Sequence, residues 1–245
     1  MSGVDPIELI YGGLDQLGPG SDADTRLMLE RLPGPVAGEV VDAGCGTGRQ
    51  TLVLAQSLRR TVHALDNHAP FLEDVERRAA DAGLDEFVRT HCLDMADIPA
   101  RFQDVGLLWS EGAAYSIGFD RALALWRTAL RPQGMIVASE LTWLESPAPV
   151  EVRAFWEKHY PAMRDDAGNR AAAERAGFLV TGTHVLSRSA WLDGYYGPLE
   201  VRSKVLAEHD NADVRALAAE NLEEIEVFRR AGNSYSYVFY LLQKA

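Results

Sequence analysis

Val40-Val41-Asp42-Ala43-Gly44-Cys45-Gly46-Thr47-Gly48 is the stretch that decides the fold of this chain. A short apolar run ends on Asp42, and glycines follow at the alternate positions 44, 46 and 48. Glycine lets a backbone turn tightly and approach a ligand with no Cβ in the way. From Arg49 to Leu58 the apolar residues recur with helical spacing, so strand, glycine loop and helix succeed one another. A helix in that position points its unpaired N–H groups back at the loop. Together they form a nucleotide-type crevice at the carboxyl edge of a parallel sheet.

Outward from the loop, short apolar runs alternate with helical patterns, the signature of βαβ units. Strands are expected at Val40–Asp42, Thr61–Leu65, Val88–Leu93, Val105–Trp109 and Met135–Leu141. Pro70 suits the first turn of a helix reaching Ala82, and Asp120–Leu130 is another helix, followed by a turn at Arg131-Pro132-Gln133-Gly134. Upstream, Ser21 and Asp24 resemble a capping box for a helix from Asp22 to Leu32, stopped by Pro33-Gly34-Pro35. Downstream come helices at Val150–Tyr160 and Arg170–Ala176, a strand at Phe178–Leu186, and long helices at Ala190–Leu206 and Asn211–Arg230. An aromatic strand, Asn233–Gln243, closes the chain. The expectation is an α/β domain over 36–245, with seven strands in a mostly parallel sheet and helices on both faces. A helical insertion at about 190–230 precedes the last strand, and residues 1–35 form an N-terminal lid segment and helix.

Composition bounds the function. The chain has 245 residues, is 47% hydrophobic and carries a formal net charge of −12. So acidic a surface has no electrostatic reason to approach nucleic acid or anionic lipid. Cys45 and Cys92 lack CxxC partners, so reduced thiols are expected, with no disulfide framework and no metal site. Met1 to Tyr11 lacks the basic-then-apolar pattern of a signal peptide, and no apolar run approaches a membrane span. A cytoplasmic protein with a small-molecule substrate is expected; pairing of two copies is left open.

Loop spacing separates two cofactor classes. A dinucleotide fingerprint reads GxGxxG, whereas this loop reads GxGxG with Asp42 just before it. A carboxylate beside a pyrophosphate would repel it, but suits a cofactor whose tail carries an ammonium group. The loop resembles the first motif of class I (Rossmann-like) S-adenosylmethionine (SAM)-dependent methyltransferases. The chain is similar to their small-molecule branch, of the ubiquinone/menaquinone biosynthesis type, over about Val36 to Leu141. The resemblance implies SAM as cofactor and a methyl transfer. A SAM-binding module without turnover is the alternative, and an NAD-dependent oxidoreductase is a third that the spacing argues against.

The same resemblance assigns residues. Gly44, Cys45 and Gly46 would line the SAM site, with Asp42 beside them. Asp66, at the end of the second strand, would hold the ribose hydroxyls, with Asn67 beside the adenine; a cap on the following helix is a role that could coexist with it. Asp94 and Met95 would meet the adenine, with Asp97 competing. Ser110 and Glu111, after the fourth strand, would lie beneath the methionine part of SAM. Tyr11 and the segment from Gln16 to Ser21 would close over the cofactor.

Methyl transfer from a sulfonium is a direct displacement, so the protein supplies binding, alignment and exclusion of water rather than a catalytic cluster. If the acceptor needs a base, Glu111 and His159 are the candidates. Aromatic residues gather where an acceptor would sit, and Trp143, Tyr160, Tyr195 and Tyr196 are the expected substrate contacts. Packing of the insertion onto the sheet would use the same residues.

Overall fold

A computed structural model describes residues 4–145 and 147–245, so the first three residues of the expected lid segment lie outside the described residues. The strands are β1 (Glu39–Ala43), β2 (Val62–Asp66), β3 (Val88–Cys92), β4 (Val105–Ser110), β5 (Leu130–Trp143), β6 (Arg164–Asp165), β7 (Phe178–Val185) and β8 (Tyr235–Lys244). Seven of them lie in the order β3-β2-β1-β4-β5-β8-β7, and the two-residue β6 pairs with β5 off that path. The strands from β1 to β5 pair in parallel. β8 runs antiparallel between β5 and β7, from Met135 opposite Gln243 to Trp143 opposite Tyr235. The expected mostly parallel, seven-stranded α/β architecture is therefore present, with β6 as an addition too short for a periodic signal.

The helices are α1 (Pro6–Tyr11), α2 (Asp22–Glu30), α3 (Arg49–Leu58), α4 (Ala69–Asp81), α5 (Ile98–Arg101), α6 (Phe119–Ala129), α7 (Val150–His159), α8 (Asp166–Arg175), α9 (Arg188–Trp191), α10 (Gly197–Leu206) and α11 (Ala212–Arg230). They cover both faces of the sheet. One core joins Leu54, Val75, Phe155, Trp191 and Phe228 to Val40, Leu107 and Phe239. The other joins Ile98, Trp126 and Ala172 to Val41, Leu108 and Tyr240. Successive strand residues thus enter opposite cores, which is why these strands read as unbroken apolar runs.

Two local expectations change. The turn at 131–134 lies within β5: Leu130 pairs with Val105 and Met135 with Leu107, so the residues between them leave the ladder, with Gln133 at φ 61°. The helix expected over 190–206 is broken by a π-turn at Leu192–Tyr196, where the Gly197 N–H donates to the Leu192 carbonyl. Pro198 follows at the start of α10 and has no N–H to continue the α pattern. Ser21 caps α2 as its sequence implies, accepting from the Asp24 N–H at 3.1 Å. Among the described residues no helix is long and apolar enough to cross a membrane.

Strand order reverses between β1 and β4, so the loops leaving those strands diverge and open a crevice at the carboxyl ends. The segment between α1 and α2 is tied down over it. Thr47 Oγ1 donates to the Leu14 carbonyl at 2.9 Å, and Arg78 donates to the Leu14 and Asp15 carbonyls at 2.8 and 2.9 Å.

Candidate functional site

A cleft of about 340 Å³ occupies this crevice. Gly44, Cys45 and Gly46 from the loop after β1 line it, with Asp66 and Asn67 after β2, Asp94 and Met95 after β3, and Glu111 to Ala113 after β4. Gln16 to Pro19 cover it from the N-terminal segment. The glycines are required by both shape and crowding. Gly44, at φ 74°, could take a Cβ only 2.4 Å from that of Ala113. Gly48, at φ 88°, would put one 2.8 Å from Val75 Cγ2. Any side chain there pushes the loop off the strand or off α4.

Asp66 faces the cleft with its carboxylate already oriented. Its Oδ2 accepts from the Gly46 N–H at 2.9 Å and its Oδ1 from the His68 N–H at 2.9 Å. Each oxygen keeps a lone pair for a ligand hydroxyl. His68, not Asp66, holds the cap position of α4. Asp94, exposed on the wall, accepts from the Ala96 N–H at 2.8 Å, while its competitor Asp97 does not line the cleft.

Three expected cofactor contacts lie elsewhere. Asp42 is fully buried beneath the loop, accepting from Thr51 Oγ1 at 2.6 Å and Gln50 Nε2 at 3.3 Å. Burial pushes its carboxyl up to about 7, against the lowering by those two hydrogen bonds. It therefore acts on the cleft only through Gln50, which lines the wall. Ser110 is also buried, donating to the Ala43 carbonyl at 3.0 Å and joining β4 to β1. Tyr11 donates to Asn221 Oδ1 at 2.8 Å and lines a second cavity instead.

Glu111 reaches the cleft, but both of its oxygens are engaged. Oε1 accepts from Thr25 Oγ1 and Trp109 Nε1, each at 2.7 Å, and Oε2 from Arg49 at 2.5 Å. A carboxylate neutralised by a guanidinium and held by two further donors ties α2, α3 and β4 together.

The second cavity, of about 200 Å³, adjoins the first and shares Leu17, Gly18, Pro19, Gly112 and Tyr115 with it. Its walls are largely aromatic: Tyr11, Tyr115, Trp156, Tyr160, Trp191, Tyr195 and Tyr237. Tyr160 and Tyr195, two of the expected substrate contacts, are among them. Tyr160 donates to Glu140 Oε1 at 2.6 Å, and burial pushes the Glu140 carboxyl up to about 7. His159 sits exposed at the rim, stacked on Phe155 with ring centroids 4.3 Å apart.

The other two expected contacts face away. Trp143 packs edge-on to Tyr235, with the Arg153 guanidinium 5.3 Å from its ring centre. Tyr196 is buried behind Tyr195 and donates to Glu224 Oε1 at 2.6 Å. Residues without an earlier assignment complete the cavity, above all Asn221 and Glu224 on α11. Asn221 had a legible signal. Buried Val214, Ala218, Ile225 and Phe228 mark an apolar stripe along α11, and Asn221 is a polar residue on it.

Residues 40–134 match the methyltransferase domain family. Over that segment the chain carries a methyltransferase domain. The matched segment supplies the glycine loop, Asp66, Asp94 and Glu111. The helices around the aromatic cavity lie outside it.

Over 123 residues, 49% of the chain, the sequence is 32% identical to a dimethylglycine N-methyltransferase of Parasynechococcus marenigrum, covering 44% of that protein. Over 208 residues, 77% of the chain, it is 27% identical to a SAM-dependent Diels-Alderase of Talaromyces variabilis, covering 64% of that one. The chain thus spans less than two thirds of either relative. A SAM-dependent methyltransferase from Thiobacillus denitrificans, solved with S-adenosyl-L-homocysteine, superposes over 100% of both chains with a TM-score of 0.81 at 16% identity. That likeness shows that the whole chain, including the helices around the aromatic cavity, follows one fold.

Proposed function

We propose that the protein transfers a methyl group from SAM to a small-molecule acceptor in the aromatic cavity. The observation that carries this is the adjacency of the two cavities. A cleft built on the glycine loop and Asp66 shares a wall, through Gly112 and Tyr115, with a cavity of acceptor size. The cleft also suits a cationic cofactor, because Asp66 and Asp94 face it beyond the Arg49–Glu111 pair. When bound, SAM supplies a methyl group already activated by the sulfonium charge.

The chain's own residues then have defined tasks. Asp66, fixed by two backbone N–H groups, accepts the ribose hydroxyls. Asp94 and Met95 meet the adenine, and Gln16 to Pro19 exclude water from above. The aromatic walls hold the acceptor in line; alignment of this kind lowers a barrier by roughly 7–11 kcal/mol in well-oriented systems. The acidic balance and the absence of any long apolar helix among the described residues favour a cytoplasmic location and no nucleic-acid substrate.

A second function, SAM held without losing its methyl group, is favoured by the similarity over 208 residues to the Diels-Alderase. One experiment separates them. The purified chain is incubated with SAM and a metabolite panel, and products are read by mass spectrometry. Acceptor masses raised by one methyl group, with matching S-adenosylhomocysteine, support transfer. Acceptor conversion with SAM intact supports the second function.

A further inference from the structure

Two polar groups in the aromatic cavity have no task in holding SAM. Asn221 lies only 6% exposed on α11, and its Nδ2 has no hydrogen-bond partner, while its Oδ1 is occupied by Tyr11. Three residues on, Glu224 also lines the cavity, and the hydrogen bond it receives comes from Tyr196 to Oε1. Positions three apart on a helix are surface neighbours, with Cβ atoms roughly 5–6 Å apart. The cavity therefore presents a donor and an acceptor side by side. Leaving the Asn221 Nδ2 buried without a partner is unfavourable.

From this geometry, and resting on the methyl-transfer function proposed above, we infer that the cavity takes an uncharged aromatic acceptor by one hydroxyl group, held between Glu224 and Asn221. A hydroxyl has one proton to donate and two lone pairs with which to accept, so a single group satisfies both residues. An ammonium group would satisfy Glu224 and leave the Asn221 Nδ2–H₂ without an acceptor. An ether or ketone would do the reverse. A carboxylate or phosphate would meet Glu224 with like charge, and among the described residues no Lys or Arg lines the cavity to offset it. The walls supply the aromatic preference, with Trp156 and Tyr195 among the flat faces available. Asn221 and Glu224 are positioning and specificity residues in this account.

Calorimetric titration of the full chain, with and without saturating S-adenosylhomocysteine, tests the inference. The probes are 2-naphthol, its methyl ether 2-methoxynaphthalene, and 2-naphthoate. In the unmodified chain 2-naphthol should bind at least about tenfold more tightly than either analogue, since the ether offers Glu224 no proton and naphthoate meets it with like charge. In Glu224→Gln the amide turns a donor toward the ligand. An ether oxygen can then accept as well as a hydroxyl, so the preference over the ether should fall to within about threefold, while naphthoate gains. Asn221→Leu should weaken 2-naphthol and spare S-adenosylhomocysteine; if it does not fold, Glu224→Gln carries the test alone. Equal binding of 2-naphthol and its ether to the unmodified chain overturns the inference. So does no binding of 2-naphthol, or a preference unchanged in Glu224→Gln. Hydroxyl preference without any S-adenosylhomocysteine binding supports this site and defeats the methyl-transfer function; the converse result does the opposite.

Discussion

Arg49→Met removes the guanidinium from Glu111 and keeps an apolar stem of similar length. The Glu111 side chain is 3% exposed and that of Arg49 11%, so the pair is largely shielded from water. Breaking a buried pair by removing one member costs about 3–5 kcal/mol. Two donors, Thr25 Oγ1 and Trp109 Nε1, stay on Glu111, which places the expected loss near the lower end, about 3 kcal/mol. The contact of Arg49 with Asp22 at 3.3 Å adds little, because that carboxylate is half exposed. For a chain of this size the loss corresponds to a fall in Tm of roughly 6–12 °C. Glu111→Gln keeps an oxygen for Thr25 and Trp109 and should lose about 1–2 kcal/mol. In the double variant neither charge is buried alone, so stability should recover to within about 1 kcal/mol of Glu111→Gln alone. Urea denaturation of the four proteins measures the cycle. A loss below about 1 kcal/mol for Arg49→Met, or strictly additive losses, would refute the view that Glu111 is a buried structural carboxylate.

Asp66→Ala should weaken S-adenosylhomocysteine binding by about 1–3 kcal/mol in calorimetry, with far-UV circular dichroism unchanged; unaltered affinity would remove the ribose assignment. Asp42→Asn concerns pH. Folding raises the Asp42 carboxyl from 3.8 to about 7, so the folded state holds a proton that the unfolded state has lost. Stability from this group is complete below pH ~4, declines as pH rises toward 7 and stays low above, a loss of order 4 kcal/mol. Glu140, raised from 4.5 to about 7, adds the same trend. Denaturant midpoints should therefore fall less between pH 5 and pH 8 in Asp42→Asn than in the unmodified chain, and an identical slope would contradict the burial argument. Tyr195→Ala should leave S-adenosylhomocysteine affinity within about twofold, because this side chain lines only the aromatic cavity; a large loss would mean that the cavities are not divided as described.

The parts of this architecture that sequence reveals are those encoded over a few neighbouring residues. The glycine loop, the acids at the ends of β2 and β3, and the helix starts at Ser21 and Asn211 all depend on local backbone chemistry. Asp42 shows the limit: its position before the loop is legible, but whether its carboxylate faces ligand or core depends on Thr51 reaching back from α3. The three partners of Glu111 come from three segments, and those of α2 and α3 are 86 and 62 residues away in the chain. Side-chain direction sorted the aromatics. Tyr195 and Tyr196 are consecutive in one helical turn, so their side chains leave it in different directions and only Tyr195 lines the cavity. Trp156 and Tyr160 are four apart and share a face. The break after Trp191 was readable in Gly197-Pro198, whereas nothing local announces β6.

The most direct measurement is a crystal structure of the full chain with S-adenosylhomocysteine. The ribose hydroxyls should lie roughly 2.5–3.0 Å from the Asp66 carboxylate. The thioether sulfur should face the aromatic cavity beside Gly112 and Tyr115. A nucleoside bound away from Asp66, or a sulfur turned from the aromatic cavity, would contradict the proposed methyl transfer.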